Sequence, residues 1–228
     1  MTDMPRESDL RPSTGLRRDA LRLPNLLTFL RVAAVPFVLG FLYAGTPEAS
    51  FWAAMIYIGS TVTDFLDGWL ARRSGQVSLL GKYLDPLADK ILVTSTLVFL
   101  CWMGRLPLLG VIAVLLILGR ELAITSLRTL AISEGLVLAA GQGGKEKTAL
   151  QMVALLCLIL HFPYAIDLGF GPLWVDLGQV GLALLYLSLV FALTSGGAYL
   201  RVFVAAVEAK ERRTRSGSSG LPGGPDAR

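Results

Sequence analysis

The chain has one histidine, His161, and two cysteines, Cys101 and Cys157. A zinc centre of imidazole and thiolate therefore has almost no material to draw on. Both cysteines fall inside apolar stretches rather than in loops, which reads as space filling and not as a structural disulfide. His161 closes one such stretch at its outer end, where an interfacial imidazole keeps its polar edge in water. Charge is scarce as well. Asp, Glu, Lys and Arg make up 17% of the residues against 54% hydrophobic ones, and the mean hydropathy is +0.61. That balance excludes an ordinary soluble domain.

What is present instead is a series of apolar stretches at roughly 26–44, 51–71, 83–103, 107–130, 147–162 and 177–200. Most approach the ~20 residues that a helix needs to cross the hydrocarbon core. The pattern predicts an all-α, polytopic integral membrane protein with six transmembrane helices. Three segments follow: a cytoplasmic N-terminal segment 1–23, a six-span membrane domain 24–205 and a flexible cytoplasmic tail 206–228. The N-terminal segment, polar and rich in Arg, does not have the character of a cleavable signal. It reads either as an interfacial amphipathic helix around 15–24 or as an unstructured arm.

Basic residues set the orientation. Arg6, Arg11, Arg17, Arg18 and Arg22 precede the first span, Arg72, Arg73 and Lys82 follow the second, and Lys145 and Lys147 precede the fifth. Arg201, Lys210, Arg212, Arg213, Arg215 and Arg228 follow the sixth, which brings sixteen of the 21 Lys and Arg to one side. The opposite loops hold only Arg105. Both termini are expected in the cytoplasm. The net charge of +4 is then a membrane signature beside anionic headgroups, and nucleic acid is not an expected partner.

Against this apolar background one run stands out: Asp64-x-x-Asp67-Gly68-x-x-Ala71-Arg72, eight residues, then Gly81-x-x-x-Asp85-x-x-x-Asp89. At average frequencies of about 7 per cent, eight fixed positions match by chance on the order of once in a billion starts. A charged Asp at the centre of a span costs about 2.5–3.5 kcal/mol, so four without compensation cost on the order of 10 kcal/mol. Residues three or four apart share a helix face, so Asp64 with Asp67, and Asp85 with Asp89, form two paired stripes. By depth both pairs belong near the cytoplasmic boundary, lining a cytoplasm-facing polar cavity. Pro86 allows two local geometries, a third span beginning at or just before Asp85, or a proline inside a helix already begun near Lys82.

Oxygen-only ligands suit a hard cation such as Mg²⁺ or Mn²⁺. Two divalent ions would neutralise four carboxylates, and a pair ~3.5–4 Å apart is a common device for displacement at phosphorus. Gly68, Ala71 and Gly81 are small enough for close approach of a ligand or helix. Arg72 offers a planar donor fork for phosphate oxygens. Any one of these residues alone would read as helix packing or as a buried ion pair, for example with Lys90. Together, at this spacing, they read as a site.

The run resembles the signature of the CDP-alcohol phosphatidyltransferases at every fixed position, and the likeness covers roughly Pro24 to Arg201. The resemblance implies metal-dependent transfer of a phosphatidyl group from CDP-diacylglycerol, or of a phosphoalcohol from a CDP-alcohol, with release of CMP. It implies that Asp64, Asp67, Asp85 and Asp89 hold the metal and that Asp89 also serves as general base. Gly68, Ala71, Arg72 and Gly81, joined by Asn25 and Thr28, would meet the CDP-lipid. Members of the family are commonly homodimers.

Longer features resemble the bacterial branch that uses sn-glycerol 3-phosphate, the phosphatidylglycerophosphate synthases. They are Pro24-Asn25-Leu26-Leu27-Thr28-Phe29-Leu30-Arg31, Leu84 to Lys90, Gly119-Arg120-Glu121 with Leu127-Arg128, and Gly144-Lys145-Glu146-Lys147-Thr148 with Gln151. Gly119 departs from the more usual Ala. An anionic acceptor also fits the cations: Arg120 and Arg128 lie in the fourth span, where Arg is costly without a partner, and Lys145 and Lys147 stand at the entry to the fifth. The competing expectations are a structural ion pair for Arg120 and positive-inside flanking for the two Lys. Two other functions remain open: the same chemistry with serine, inositol phosphate or phosphatidylglycerol as acceptor, and a cation or proton transporter relaying through the carboxylates.

Overall fold

All six apolar stretches fold as helices in a computed structural model: α1 (Leu23–Ala44), α2 (Pro47–Ser74), α3 (Leu79–Trp102), α4 (Leu108–Ser133), α5 (Gly144–Leu160) and α6 (Leu177–Ser218). The structure describes the backbone of residues 23–74, 79–134, 144–167 and 171–218, and the side chains of 28–63, 90–134, 148–165, 171, 174–210 and 212. The N-terminal segment 1–22 lies outside the described residues, and with it nearly all of the expected interfacial helix. Between α5 and α6, where the sequence reading has only a loop, β1 (Pro163–Asp167) pairs antiparallel with β2 (Pro172–Asp176), Pro163 opposite Asp176. The all-α expectation is corrected to this extent.

The turns follow from local chemistry. Gly45, at φ 69°, ends α1 and donates its N–H to the Leu42 carbonyl at 3.1 Å. Thr46 then caps α2 by accepting from the Ala49 N–H on its hydroxyl at 3.2 Å, with Pro47 and Glu48 in the first turn. At the end of α3, Gly104 takes φ 69°, its N–H meeting the Cys101 carbonyl and the Arg105 N–H the Leu100 carbonyl. That pair of bonds is a Schellman end, and it fixes where Arg105 leaves the helix. His161 ends α5 at φ 57°, and Asp176 caps α6 by accepting from the Gln179 N–H at 3.1 Å.

Two boundaries differ informatively from the expectation. Helix α3 starts at Leu79, so Pro86 sits inside it and Asp85 does not cap it, which realises the second of the two proline geometries. Helix α6 continues to Ser218 through residues assigned to a flexible tail. Residues 202–213 lack Gly and Pro and are rich in Ala, Glu, Lys and Arg, good helix formers that a hydropathy scan passes over. Residues 219–228 lie outside the described residues.

By contacts the chain divides into two units, Met1–Pro107 with Met152–Ala183, and Leu108–Gln151 with Leu184–Arg228. In the first, α1 packs against both α2 and α3. Val35, Val38 and Leu42 of α1, Ala53, Ala54 and Tyr57 of α2, and Leu92, Leu97 and Leu100 of α3 are buried. The α1 and α2 sets recur at three- and four-residue steps, as does the α3 set once the buried Thr96 is counted, and the alanines let helix backbones approach closely. In the second unit Ala113, Val114 and Ile117 of α4 and Leu185, Ser188 and Ala192 of α6 are buried.

Helix α4 and the Leu177–Lys210 part of α6 are long and apolar enough to cross a membrane. The core helix of a soluble protein would pass that test too, but mostly buried. Here only 22% and 28% of the apolar stretches are buried, and Leu108, Leu115, Leu122, Val190, Phe191 and Val202 stand exposed. Such surfaces suit an apolar partner rather than water.

Candidate active site

The carboxylate run lies on continuous helix. Asp64, Asp67, Gly68, Ala71 and Arg72 fall in the last turns of α2, and Gly81, Asp85 and Asp89 in the first turns of α3. The backbone is helical at all eight positions, so Asp64 with Asp67, and Asp85 with Asp89, fall on common faces of their helices. Both helices pack against α1, which is thus the shared wall of this part of the molecule. The side chains of these eight residues, like those of Asn25, Lys145 and Lys147, lie outside the described residues.

The described neighbours show how the approach to the run is built. On α1, Thr28 and Arg31 are buried one turn apart, Arg31 only 2% exposed. A guanidinium so far out of water has to be compensated by polar or anionic groups. On α2, the hydroxyls of Ser60, Thr61 and Thr63 each donate to the carbonyl four residues earlier, at 2.9, 2.9 and 2.6 Å. With those protons spent on their own helix, they present a largely apolar face. Between α1 and α2 opens a cavity of about 390 Å³, lined by Leu30, Arg31 and Phe37 on one side and Ile56, Gly59 and Thr63 on the other. A Cβ at Gly59 would meet nothing within 4 Å, so the missing side chain widens this space. An apolar groove with one buried cation thus reaches Thr63, the residue before Asp64 in sequence.

Among the described side chains no group of three or more His, Cys, Asp or Glu gathers. The four aspartates of the run lie outside those described side chains, and by residue type alone an all-oxygen set fits a hard divalent cation.

Arg120 lies in the second unit. Its Nε donates to the Ala192 carbonyl and its NH2 to Ser195 Oγ, both at 3.0 Å, so the partners described for it are uncharged. The structural ion pair that competed for this residue is not among its described bonds. Arg128, two turns on, is exposed. Ser195 and Gly196, against which Arg120 rests, escaped the sequence reading; the Gly196-Gly197 pair inside an apolar helix was the available signal.

Arg105, counted above only as the lone cation of the outer loops, closes a corner of the first unit. Its NH1 donates to the Ile159 carbonyl at 3.0 Å, its NH2 to Ser50 Oγ at 3.2 Å, and the guanidinium lies 5.6 Å from the Phe162 ring centroid. Burial holds its pKa below the usual arginine range, with Tyr164 opposing. Burial and the field of Arg105 push His161 down as well, with Asp176 pulling the other way.

The model of the CDP-alcohol phosphatidyltransferases matches residues 21–206. Over 67% of this chain and 86% of the relative, the sequence is 36% identical to a Bacillus subtilis CDP-diacylglycerol–glycerol-3-phosphate 3-phosphatidyltransferase. It is 35% identical, over 79% of this chain and 57% of the relative, to a CMP-forming cardiolipin synthase of rice. The fold is shared with the Mycobacterium tuberculosis phosphatidylinositol phosphate synthase crystallised with CDP-DAG bound, at a TM-score of 0.56 and 23% identity, covering 83% of this chain and 92% of that one. The same mycobacterial protein has been crystallised in complex with manganese and citrate. The chain belongs to the CDP-alcohol phosphatidyltransferase family, and the transporter reading falls with that assignment.

Proposed function

We propose that the protein transfers the phosphatidyl group of CDP-diacylglycerol to sn-glycerol 3-phosphate, forming phosphatidylglycerophosphate and CMP. The observation that carries this reading is the complete carboxylate run on continuous helix in α2 and α3, beside a groove suited to a lipid. The acceptor follows the relatives named for glycerol 3-phosphate, whose likeness extends over most of the chain. The relative named as a cardiolipin synthase favours a second reading, in which the acceptor is itself a phospholipid such as phosphatidylglycerol.

In this reading six helices span a bacterial inner membrane, both termini and the polar cavity face the cytoplasm, and the catalytic domain covers 24–205. Two copies form a homodimer. Asp64, Asp67, Asp85 and Asp89 hold two divalent ions, Mg²⁺ or Mn²⁺, which supply positive charge to the phosphate oxygens. Arg72 reaches the diphosphate with its donor fork, while Gly68, Ala71 and Gly81 let the cytidine diphosphate group lie close to the backbone. Asn25 and Thr28 bound the same pocket from α1, and the acyl chains follow the apolar groove past Gly59. Asp89 takes the proton from the acceptor hydroxyl as its oxygen attacks the phosphorus that bears the diacylglycerol. The bond from that phosphorus to the bridging oxygen breaks, and the electron pair leaves on CMP. Arg120, Arg128, Lys145 and Lys147 bind the acceptor phosphate. Charge neutralisation and alignment supply most of the catalysis, as in other phosphoryl transfers.

The test is product analysis by mass spectrometry on purified protein with CDP-diacylglycerol, glycerol 3-phosphate and Mg²⁺. Phosphatidylglycerophosphate is expected from the wild type, and none from Asp89→Asn, which should retain CDP-lipid binding. An active Asp89→Asn enzyme would remove the general base from the scheme.

A further inference from the structure

Helix α6 carries two consecutive glycines that meet opposite surroundings. A Cβ at Gly197 would touch nothing within 4 Å, whereas one at Gly196 would lie 3.1 Å from Arg120 Nε and 3.3 Å from its Cγ. Glycine inside a helix costs roughly 0.5–1 kcal/mol relative to alanine, so a buried glycine needs a reason that an exposed one does not. At Gly196 the reason is the arginine lying across the helix. The Ala192 carbonyl one turn earlier accepts from Nε at 3.0 Å and also from Ser195 Oγ at 3.1 Å, and Ser195 Oγ in turn accepts from Arg120 NH2 at 3.0 Å. Ser195 Oγ further lies 2.7 Å from the Phe191 carbonyl, which fixes its rotamer. Three residues of α6 thus engage one side of the guanidinium, the edge formed by Nε and NH2.

What is left over matters more. A guanidinium has five N–H donors, and among the described residues NH1 has no hydrogen-bond partner. A seat that consumes the Nε and NH2 edge leaves the NH1 end pre-aimed, so little rotamer entropy remains to be lost when an anion arrives. We propose that Ser195 and Gly196 are positioning residues for the acceptor: they form a seat on α6 that presents the NH1 end of Arg120 to the phosphate of the acceptor alcohol. The proposal rests on the reading in which Arg120 binds that phosphate.

Steady-state kinetics on Ser195→Ala, Gly196→Ala and Gly197→Ala, varying each substrate in turn, test the seat. Ser195→Ala removes a partner of Arg120 without adding bulk, and Gly196→Ala pushes Nε off the Ala192 carbonyl. Both should raise the KM for glycerol 3-phosphate about tenfold, while kcat and the KM for CDP-diacylglycerol stay within about twofold. Ser195→Thr keeps the hydroxyl and should restore the wild-type KM. Gly197→Ala reports what alanine does to this helix without touching Arg120 and should change neither KM. If Gly196→Ala behaves like Gly197→Ala, or if both KM values move together, the seat is refuted and the contact only packs the helices. Should Arg120→Gln leave the acceptor KM unchanged, the phosphate role of Arg120 itself fails. A seat failure differs, because Arg120→Gln then raises the acceptor KM while the α6 variants do not.

Discussion

Arg105 and Arg120 are both held by one main-chain carbonyl and one serine hydroxyl, at 3.0 and 3.2 Å for Arg105 and at 3.0 Å twice for Arg120. The difference lies in which nitrogens are used. Arg105 spends both terminal nitrogens, NH1 on the end of α5 and NH2 on the start of α2, under the Phe162 ring. Its fork is closed, so it ties chain to chain. Arg120 spends Nε and one terminal nitrogen on α6, and among the described residues NH1 has no hydrogen-bond partner. An arginine of the first kind contributes to stability, and one of the second kind can contribute to binding.

Substitution separates the two. Arg120→Ala should give the largest effect, a rise of about a hundredfold in the KM for glycerol 3-phosphate, equivalent to about 3 kcal/mol, with a small change in thermal stability. Arg105→Ala should do the reverse: a loss of about 2 kcal/mol in stability, read as a lower unfolding temperature in detergent, with both KM values unchanged. A raised acceptor KM in Arg105→Ala would break the distinction.

The smallest effect is a pH dependence of the corner. His161 has its pKa lowered in the folded protein, so the unfolded chain binds the proton first as pH falls. Stability is therefore full above the ordinary histidine value of about 6.5 and is lost progressively below it, toward the lower folded-state value. His161→Asn, which tolerates the left-handed backbone at this position, should flatten the fall in unfolding temperature between about pH 7 and pH 5. An unchanged slope would mean that another group governs acid sensitivity.

Legibility in the sequence follows the same division. The six helices were readable because each carries a long apolar run, and the run from Asp64 to Asp89 because carboxylates amid apolar sequence are costly and helical spacing is local. The hairpin at 163–176 escaped, since two strands of five residues give too little alternation to separate from a loop. The end of α6 escaped because its polar turns carry helix propensity without hydropathy. The seat of Arg120 escaped for a different reason. Its partners are 72 and 75 residues away in sequence, and no local pattern announces a contact at that separation. For Arg105 the residue was visible and the role was not, because counting charges by loop records a cation but not its bonds.

The central claim concerns the acceptor, and CMP release tests it most directly. Purified protein with CDP-diacylglycerol and Mg²⁺ would be offered glycerol 3-phosphate, serine, inositol phosphate and phosphatidylglycerol in separate reactions. The account predicts CMP release that depends on glycerol 3-phosphate and is lost in Arg120→Ala at low acceptor concentration. Release only with one of the other three acceptors would contradict it, keeping the carboxylate chemistry while overturning the assignment of the acceptor site.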